Sequence, residues 1–255
     1  MSVVLDHLIV AAASLSQGVA WCEATLGVTP GPGGQHPLMG THNRLLKVAT
    51  PAYPGAYLEI IAIDPEAAPP QRARWFGLDD PALQDRLQAG PQLIHVVARS
   101  TMLDMHRWGL ITVGLKPGNP VAASRETPAG TLSWEILVAD DGRLDCGGAL
   151  PTLIQWKGAH PADRMPDSGV TLTSLTLHGI SDRARQVLRL PGVQVLPLFE
   201  SVESSEWVDP ANTADLANPA EPALTAQPAV VATLHTPQGP VVLRSFNPGP
   251  TPPPP

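Results

Sequence analysis

The chain has 255 residues, 43% hydrophobic and 15% charged, the balance of a folded globular protein and not of a disordered one. Its net charge is −7 and no run of lysine or arginine occurs, which excludes nucleic acid or an anionic membrane surface as the main partner. No stretch approaches the roughly 18 apolar residues of a membrane span, and the opening MSVVLDHLIVAAASL lacks the basic start of a secretion signal. The two cysteines, Cys22 and Cys146, have no metal-binding spacing and read as free thiols of a cytoplasmic protein.

Residues 5–11 read LDHLIVA, an alternating run that predicts a half-buried strand with His7 in third place. Ser14 or Ser16 then caps a helix with Leu15, Val19, Cys22 and Leu26 on one face, stopped by Gly27. Three extended segments follow, near 35–41, 43–50 and 55–63, and a helical connector is expected from Gln71 to Gln88. Residues 93–99, LIHVVAR, repeat the opening strand with His95 again third, and Ser100 is placed to cap a shorter helix through Met102, Met105 and Trp108. Extended segments at about 119–126, 131–139 and 151–157 complete the second copy, the first two joined by a turn at Pro128-Ala129-Gly130. Each copy therefore reads strand, helix, strand, strand, strand. Trp21, Met102 and Met105 read as core.

An imperfect third copy begins at residue 172 with LTSLTLHG, where Ser174 replaces the histidine. Ser181 caps a helix carrying Ala184, Val187 and Leu188, Pro191-Gly192 ends it, and Val230–His235 with Pro240–Phe246 form a hairpin. This copy is expected to cover a sheet edge. Many of the 30 prolines lie in connectors. Asp209–Pro228 reads as a long mobile loop and the tail from Pro248 to Pro255 as extended polyproline. The division is then 1–165 for the two full copies (3–63 and 92–157, linker 64–91), 166–246 for the partial copy and 247–255 for a disordered tail.

GGQHPLMGTHNRLLKV followed by YLEIIAI resembles the glyoxalase-like domain family of the vicinal oxygen chelate superfamily, with its pattern GG-x-H-x-x-x-G-T-x-N. RETPAGTLSWEIL, LPTLIQW and the His160-Pro161 pair are similar to that family's second half. The resemblance implies an α+β fold in which paired βαβββ modules form one cupped mixed sheet, here with a partial third module. It also implies a site: metal-using members take ligands from the first and last strands of each module, which are His7, Glu59, His95 and Gln155 in this chain. Two imidazoles and a carboxylate suit a divalent first-row metal. Gln155 departs from the glutamate that glyoxalases usually place there, and a glutamine cannot take up a proton at neutral pH.

The residues themselves leave alternatives open. His7 and His95 read either as ligands or as buried histidines bonded to neighbours. Glu59, inside an apolar strand, requires a partner, either a metal or a histidine. Gly33-Gly34 lacks the residues of a phosphate loop and reads as a bend that carries His36 towards the pocket. His36 and Glu59 are the candidate catalytic groups, with His42 a weaker alternative to His36. Thr41, Asn43, Arg125 and Trp134 are the candidate substrate contacts, Arg125 and Trp134 reading equally as a cross-strand cation–π pair. The leading expectation is a small-molecule enzyme of lyase, isomerase or dioxygenase type using a divalent metal, as a monomer or homodimer. The alternatives are a metal-free protein that binds or sequesters a small molecule, and an interaction protein with a vestigial pocket.

Overall fold

The structure, a computed structural model, describes residues 3–127, 130–196 and 229–245. The expected loop 209–228, the tail 248–255 and Phe246 lie outside the described residues. The first module runs β1 (Val4–Ala11), α1 (Leu15–Leu26), β2 (Gln35–His36), β3 (Thr41–Lys47) and β4 (Tyr57–Ile63). Ser14 caps α1, its side chain accepting from the Gln17 amide at 3.2 Å, and Gly27 closes it in the left-handed region at φ 73°. A cap of this kind is worth about 1 kcal/mol. Gly18 lets the helix lie directly on β4, since a Cβ there would stand 2.4 Å from a methyl of Ile60.

A connector containing α2 (Pro81–Ala89) leads to the second module, β5 (Gln92–Arg99), α3 (Leu103–Thr112), β6 (Asn119–Thr127), β7 (Gly130–Val138) and β8 (Thr152–Trp156). The two modules form one eight-stranded mixed sheet in the order β2-β3-β4-β1-β5-β8-β7-β6. β1 and β5 meet antiparallel at its centre with Leu8 opposite Val96, each flanked on its far side by a parallel strand, β4 or β8. His7 and His95 each precede this central pair by one residue, so a local twofold relates them.

Alternation along the strands gives the sheet two apolar faces. Leu8, Val10, Leu58, Ile60, Val96 and Leu153 pack outward with α1 and α3. Ile9, Ala11, Ile61, Val97, Ile136 and Ile154 line the inner face, around which the sheet curls until His36 near one edge lies 6.2 Å from Trp134 near the other. The connector covers part of this inner face with Trp75, Phe76, Leu78, Leu83 and Leu87.

The partial third module comprises β9 (Thr171–His178), α4 (Asp182–Leu188), β10 (Val193–Leu196), β11 (Val230–Thr236) and β12 (Gly239–Arg244). Ser181 caps α4 as its sequence predicts. The module does not extend an edge of the large sheet. It forms a separate sheet, β10-β9-β11-β12, whose Leu172, Leu175 and Leu234 share the outer core with Leu8 and Val96. The Tyr53 hydroxyl ties the two together, donating to the Gly192 carbonyl at 2.6 Å and accepting from the Leu175 amide at 3.1 Å. Trp21 packs against this core, but Met105 is 45% exposed because it falls on the solvent side of α3. Among the described residues no helix is long and apolar enough to cross a membrane.

Candidate functional site

The inner face carries a buried chain of ionisable groups. A β-bulge interrupts the β1–β5 register between Leu5 and His7, so the adjacent Asp6 and His7 meet in one hydrogen-bonded group, where strict alternation would separate them. His7 Nδ1 donates to Asp6 Oδ1 at 2.7 Å, and His7 Nε2 lies 3.2 Å from Glu59 Oε2. Asp6 also accepts from Trp156 Nε1 at 3.0 Å and lies 2.9 Å from His160 Nε2. The Tyr57 ring stacks on His7 at 4.6 Å.

Burial alone would push His7 towards its neutral form, but the two carboxylates outweigh it and raise its pKa to about 9. Glu59 is the converse: burial pushes it up, while the His7 bond and charge, the His36 charge and the Asn43 bond bring it down to about 2. Asp6, also pushed up by burial, is held well below the carboxylate range by its bonds from His160 and His7. At neutral pH the group is therefore carboxylate, imidazolium, carboxylate, shielded from water.

The glycine-rich segment reaches this group from β3. Asn43 Nδ2 donates to Glu59 Oε1 at 2.5 Å, and Asn43 Oδ1 accepts from the Gly34 amide at 2.8 Å and from Arg125 at 3.3 Å. Both glycines are needed for clearance. A Cβ on Gly33 would stand 2.0 Å from the Asn43 carbonyl oxygen, and one on Gly34 would stand 2.6 Å from the Arg125 guanidinium. Thr41 holds His36 by a 3.1 Å bond to Nδ1, and Trp75 and Trp134 meet the imidazole edge-on. Burial lowers the pKa of His36 to about 4, so it is neutral. His7, His36, Asn43, Glu59, Arg125 and Trp134 thus line one cavity of about 30 Å³, room for a water or two. Arg125 and Leu45 also line an adjoining groove of about 560 Å³.

The other expected site residues lie apart. His95 is on the inner face, but its Nδ1 is 2.7 Å from the Gly148 carbonyl and its Nε2 is 2.9 Å from Thr152 Oγ1 and accepts from the Thr152 amide at 3.2 Å. Burial lowers its pKa to about 4. Gln155 stands on the opposite face of β8, where its Oε1 accepts from the Leu103 amide at the start of α3. His42 lies towards Asp64, 3.8 Å away, outside the cavity. His7, Glu59, His95 and Gln155 therefore do not converge, and among the described residues no group of three or more His, Cys, Asp or Glu side chains is placed to hold a metal ion. The donor set does not fit the four-residue metal site implied by the resemblance. Sequence reading also passed over Asp6, Tyr57, Trp75 and Trp156 as site residues. Asp6 carried a signal, since a charge beside His7 in an apolar strand needs a partner for the same reason as Glu59.

Paired βαβββ modules around an inner pocket define the vicinal oxygen chelate class of folds. Within it, the chain belongs to the glyoxalase-like domain family, whose model matches residues 5–189. A search among curated proteins found no match. Among solved structures, a hypothetical protein from Staphylococcus aureus is similar at 14% identity and a TM-score of 0.52, over 70% of each chain. A methylmalonyl-CoA epimerase from Mycobacterium tuberculosis matches at 19% identity and a TM-score of 0.35, over 61% of this chain and 87% of that one. A hypothetical protein from Bacillus halodurans matches at 12% identity and a TM-score of 0.36, over 62% and 96%. The first of these shares the fold, and no activity is carried over from any of them.

Proposed function

We propose that this protein is a small-molecule enzyme that moves a proton on an oxygenated substrate, using the buried Asp6–His7–Glu59 group and no metal. The observation that carries the reading is the His7–Glu59 ion pair at the floor of a cavity that adjoins a ligand-sized groove at Arg125. In this reading Arg125 holds a substrate carboxylate, Asn43 and His36 contact a neighbouring oxygen, and Trp134 walls the site. Glu59 takes a proton from the carbon beside the carbonyl, and the C–H pair forms a C=C bond as the carbonyl π pair passes to oxygen as an enolate. The proton returns to the same carbon or, where that carbon bears a hydroxyl that gives its own proton to the new oxyanion, to the former carbonyl carbon. The His7 imidazolium and the Arg125 guanidinium stabilise the negative charge that develops. Asp6, which touches no substrate atom in this scheme, keeps His7 charged and fixed.

A second reading, a protein that binds and sequesters its ligand, is favoured by the low basicity of Glu59, held at about 2. One experiment separates the two. Chelator-treated protein is incubated in D₂O with a panel of 2-oxo and 2-substituted carboxylic acids, with binding followed by calorimetry and exchange at the carbon beside the carbonyl by NMR. Exchange above the buffer rate, lost in Glu59→Gln while binding persists, is the expected result. Binding without exchange overturns the enzymatic reading in favour of sequestration, and absence of binding by any acid overturns both.

A further inference from the structure

The groove beside the inner cavity has a chemical character of its own. Its walls are largely apolar, formed by Leu45 and Leu46 of β3, Leu132 of β7 and the segment holding Pro161, Met165 and Pro166. Three cations line it, Lys47, Arg125 and Arg164, with one carboxylate, Asp167, and among the described residues neither Lys47 nor Arg125 has a carboxylate within ion-pair distance. Arg125 stands at the junction, lining both the groove and the cavity, with Asn43 as its hydrogen-bond partner. Leu132 faces Arg125 across the β6–β7 ladder, so an apolar surface begins directly beside the guanidinium.

The inner cavity, at about 30 Å³, takes only a few atoms, whereas the groove, at about 560 Å³, lies within the range of sites that hold whole small molecules. An entirely polar metabolite would leave the leucine, methionine and proline walls in contact with water. An entirely apolar one would bury Arg125 without a counter-ion, which is costly. A ligand that satisfies both has a carboxylate at one end and an extended hydrocarbon body. We infer that the substrate class of this protein is the amphipathic carboxylic acid, its head at Arg125 and its apolar body along Leu45, Leu132, Pro161 and Met165. The inference rests on the reading of the inner cavity as the reacting site and adds to it the part of the ligand that does not react.

Burial of one methylene contributes about 0.8 kcal/mol, so each added CH₂ tightens binding about fourfold until the groove is filled. The test is calorimetric titration of the full chain with straight-chain acids of four, six, eight and ten carbons, below their micelle concentrations, and with the matching alcohols. Affinity rising about tenfold or more per two carbons, with the alcohols markedly weaker than the acids, supports the inference. Two variants in the groove, Leu132→Ser and Met165→Ser, should flatten the chain-length dependence, with the largest losses for the eight- and ten-carbon acids. Both positions are half-buried, which limits the cost to folding. Arg125→Gln should remove the preference for acid over alcohol. Equal affinity across the series, or alcohols binding as well as acids, overturns the inference. That failure is distinct from failure of the proposed reaction, because hydrogen exchange on short acids can succeed without any dependence on chain length.

Discussion

Thr152 occupies in the second module the place that Glu59 occupies in the first. On β1, the residue two beyond His7 is Ile9, which pairs with Glu59, and on β5 the residue two beyond His95 is Val97, which pairs with Thr152. The chemistry follows the symmetry. Glu59 lies 3.2 Å from His7 Nε2, and Thr152 Oγ1 lies 2.9 Å from His95 Nε2. The His7 side of the inner face is therefore ionic and the His95 side neutral, since a hydroxyl cannot hold an imidazolium as a carboxylate does.

This asymmetry sets the first prediction. Thr152→Glu places a carboxylate beside His95 Nε2, as Glu59 stands beside His7, and should raise the His95 pKa from about 4. In an NMR titration the His95 ring should hold its proton to a clearly higher pH in the variant than in the parent, where burial lowers its pKa to about 4. An unchanged His95 titration in the variant would contradict the assignment of Thr152 as the counterpart of Glu59.

A second prediction concerns pH. His7 titrates at about 9 in the folded protein against 6.5 for an unperturbed histidine, so its charge pairing stabilises the fold fully below about 6.5 and is lost as pH rises through about 9. His36 and His95 work in the opposite direction. Both are held near 4 by burial, so the unfolded chain takes up their protons first and stability falls as pH drops from 6.5 towards 4. Glu59, lowered to about 2 from 4.5, adds a further loss below about 4.5. The melting temperature should therefore be highest near pH 6–7 and decline on both sides. In Asp6→Asn the decline between pH 7 and 9 should be smaller, because His7 loses the partner that holds its proton. An unchanged alkaline slope in that variant would show that another group governs it.

The strand frame and two helix caps were legible because they are local properties: apolar alternation, the repeated histidine, Ser14 and Ser181. Ser100, expected to cap α3, lies two residues before the N-cap Met102 and bonds the Met102 amide and His106 instead. Glu59 and Asn43 were legible through the family pattern and the cost of burying a charge. Asp6 was not, since the bulge that brings it and His7 into one group is a tertiary feature of the β1–β5 pairing. Gln155 came from the family pattern, which does not fix strand register, and a shift of an odd number of residues moves a side chain to the other face, where Gln155 meets the start of α3. The Trp75–Phe76 cover was equally hidden. It sits in a 3-10 turn with Phe76 at φ 59°, a shape that no periodicity announces.

The two adjacent glycines should separate stability from ligand binding. Gly33→Ala drives a Cβ against the Asn43 backbone, which β3–β4 pairing prevents from moving, and should cost about 1–3 kcal/mol in a urea titration. Gly34→Ala meets the end of a flexible arginine side chain, so the fold should tolerate it while Arg125 is displaced. Its expected signature is nearly unchanged stability with acid affinity reduced about tenfold, the loss of one charged hydrogen-bonding contact. A Gly34→Ala protein that binds acids as the parent does would remove Arg125 from the ligand site.

Gln155 supplies the last prediction. Its Oε1 accepts from the Leu103 amide, one of the donors at the start of α3 that has no partner within the helix, and the residue at the helix N-cap, Met102, has no side chain able to do this. Gln155 is thus a cap delivered from β8. Gln155→Ala should lower stability by about 1 kcal/mol, the usual cost of an N-cap, without altering the His7 ring signals in NMR. Gln155→Glu keeps an acceptor oxygen and places a negative charge at a helix N-terminus, so it should be as stable as the parent or slightly more so. It should leave the His95 titration where it was, in contrast to Thr152→Glu. The two substitutions add the same charge to the same short strand, three residues apart and on opposite faces. If Gln155→Glu rather than Thr152→Glu shifted the His95 titration, the register of β8 against β5 would have to be wrong by an odd number of residues, and with it the assignment of every inward-facing side chain on that strand.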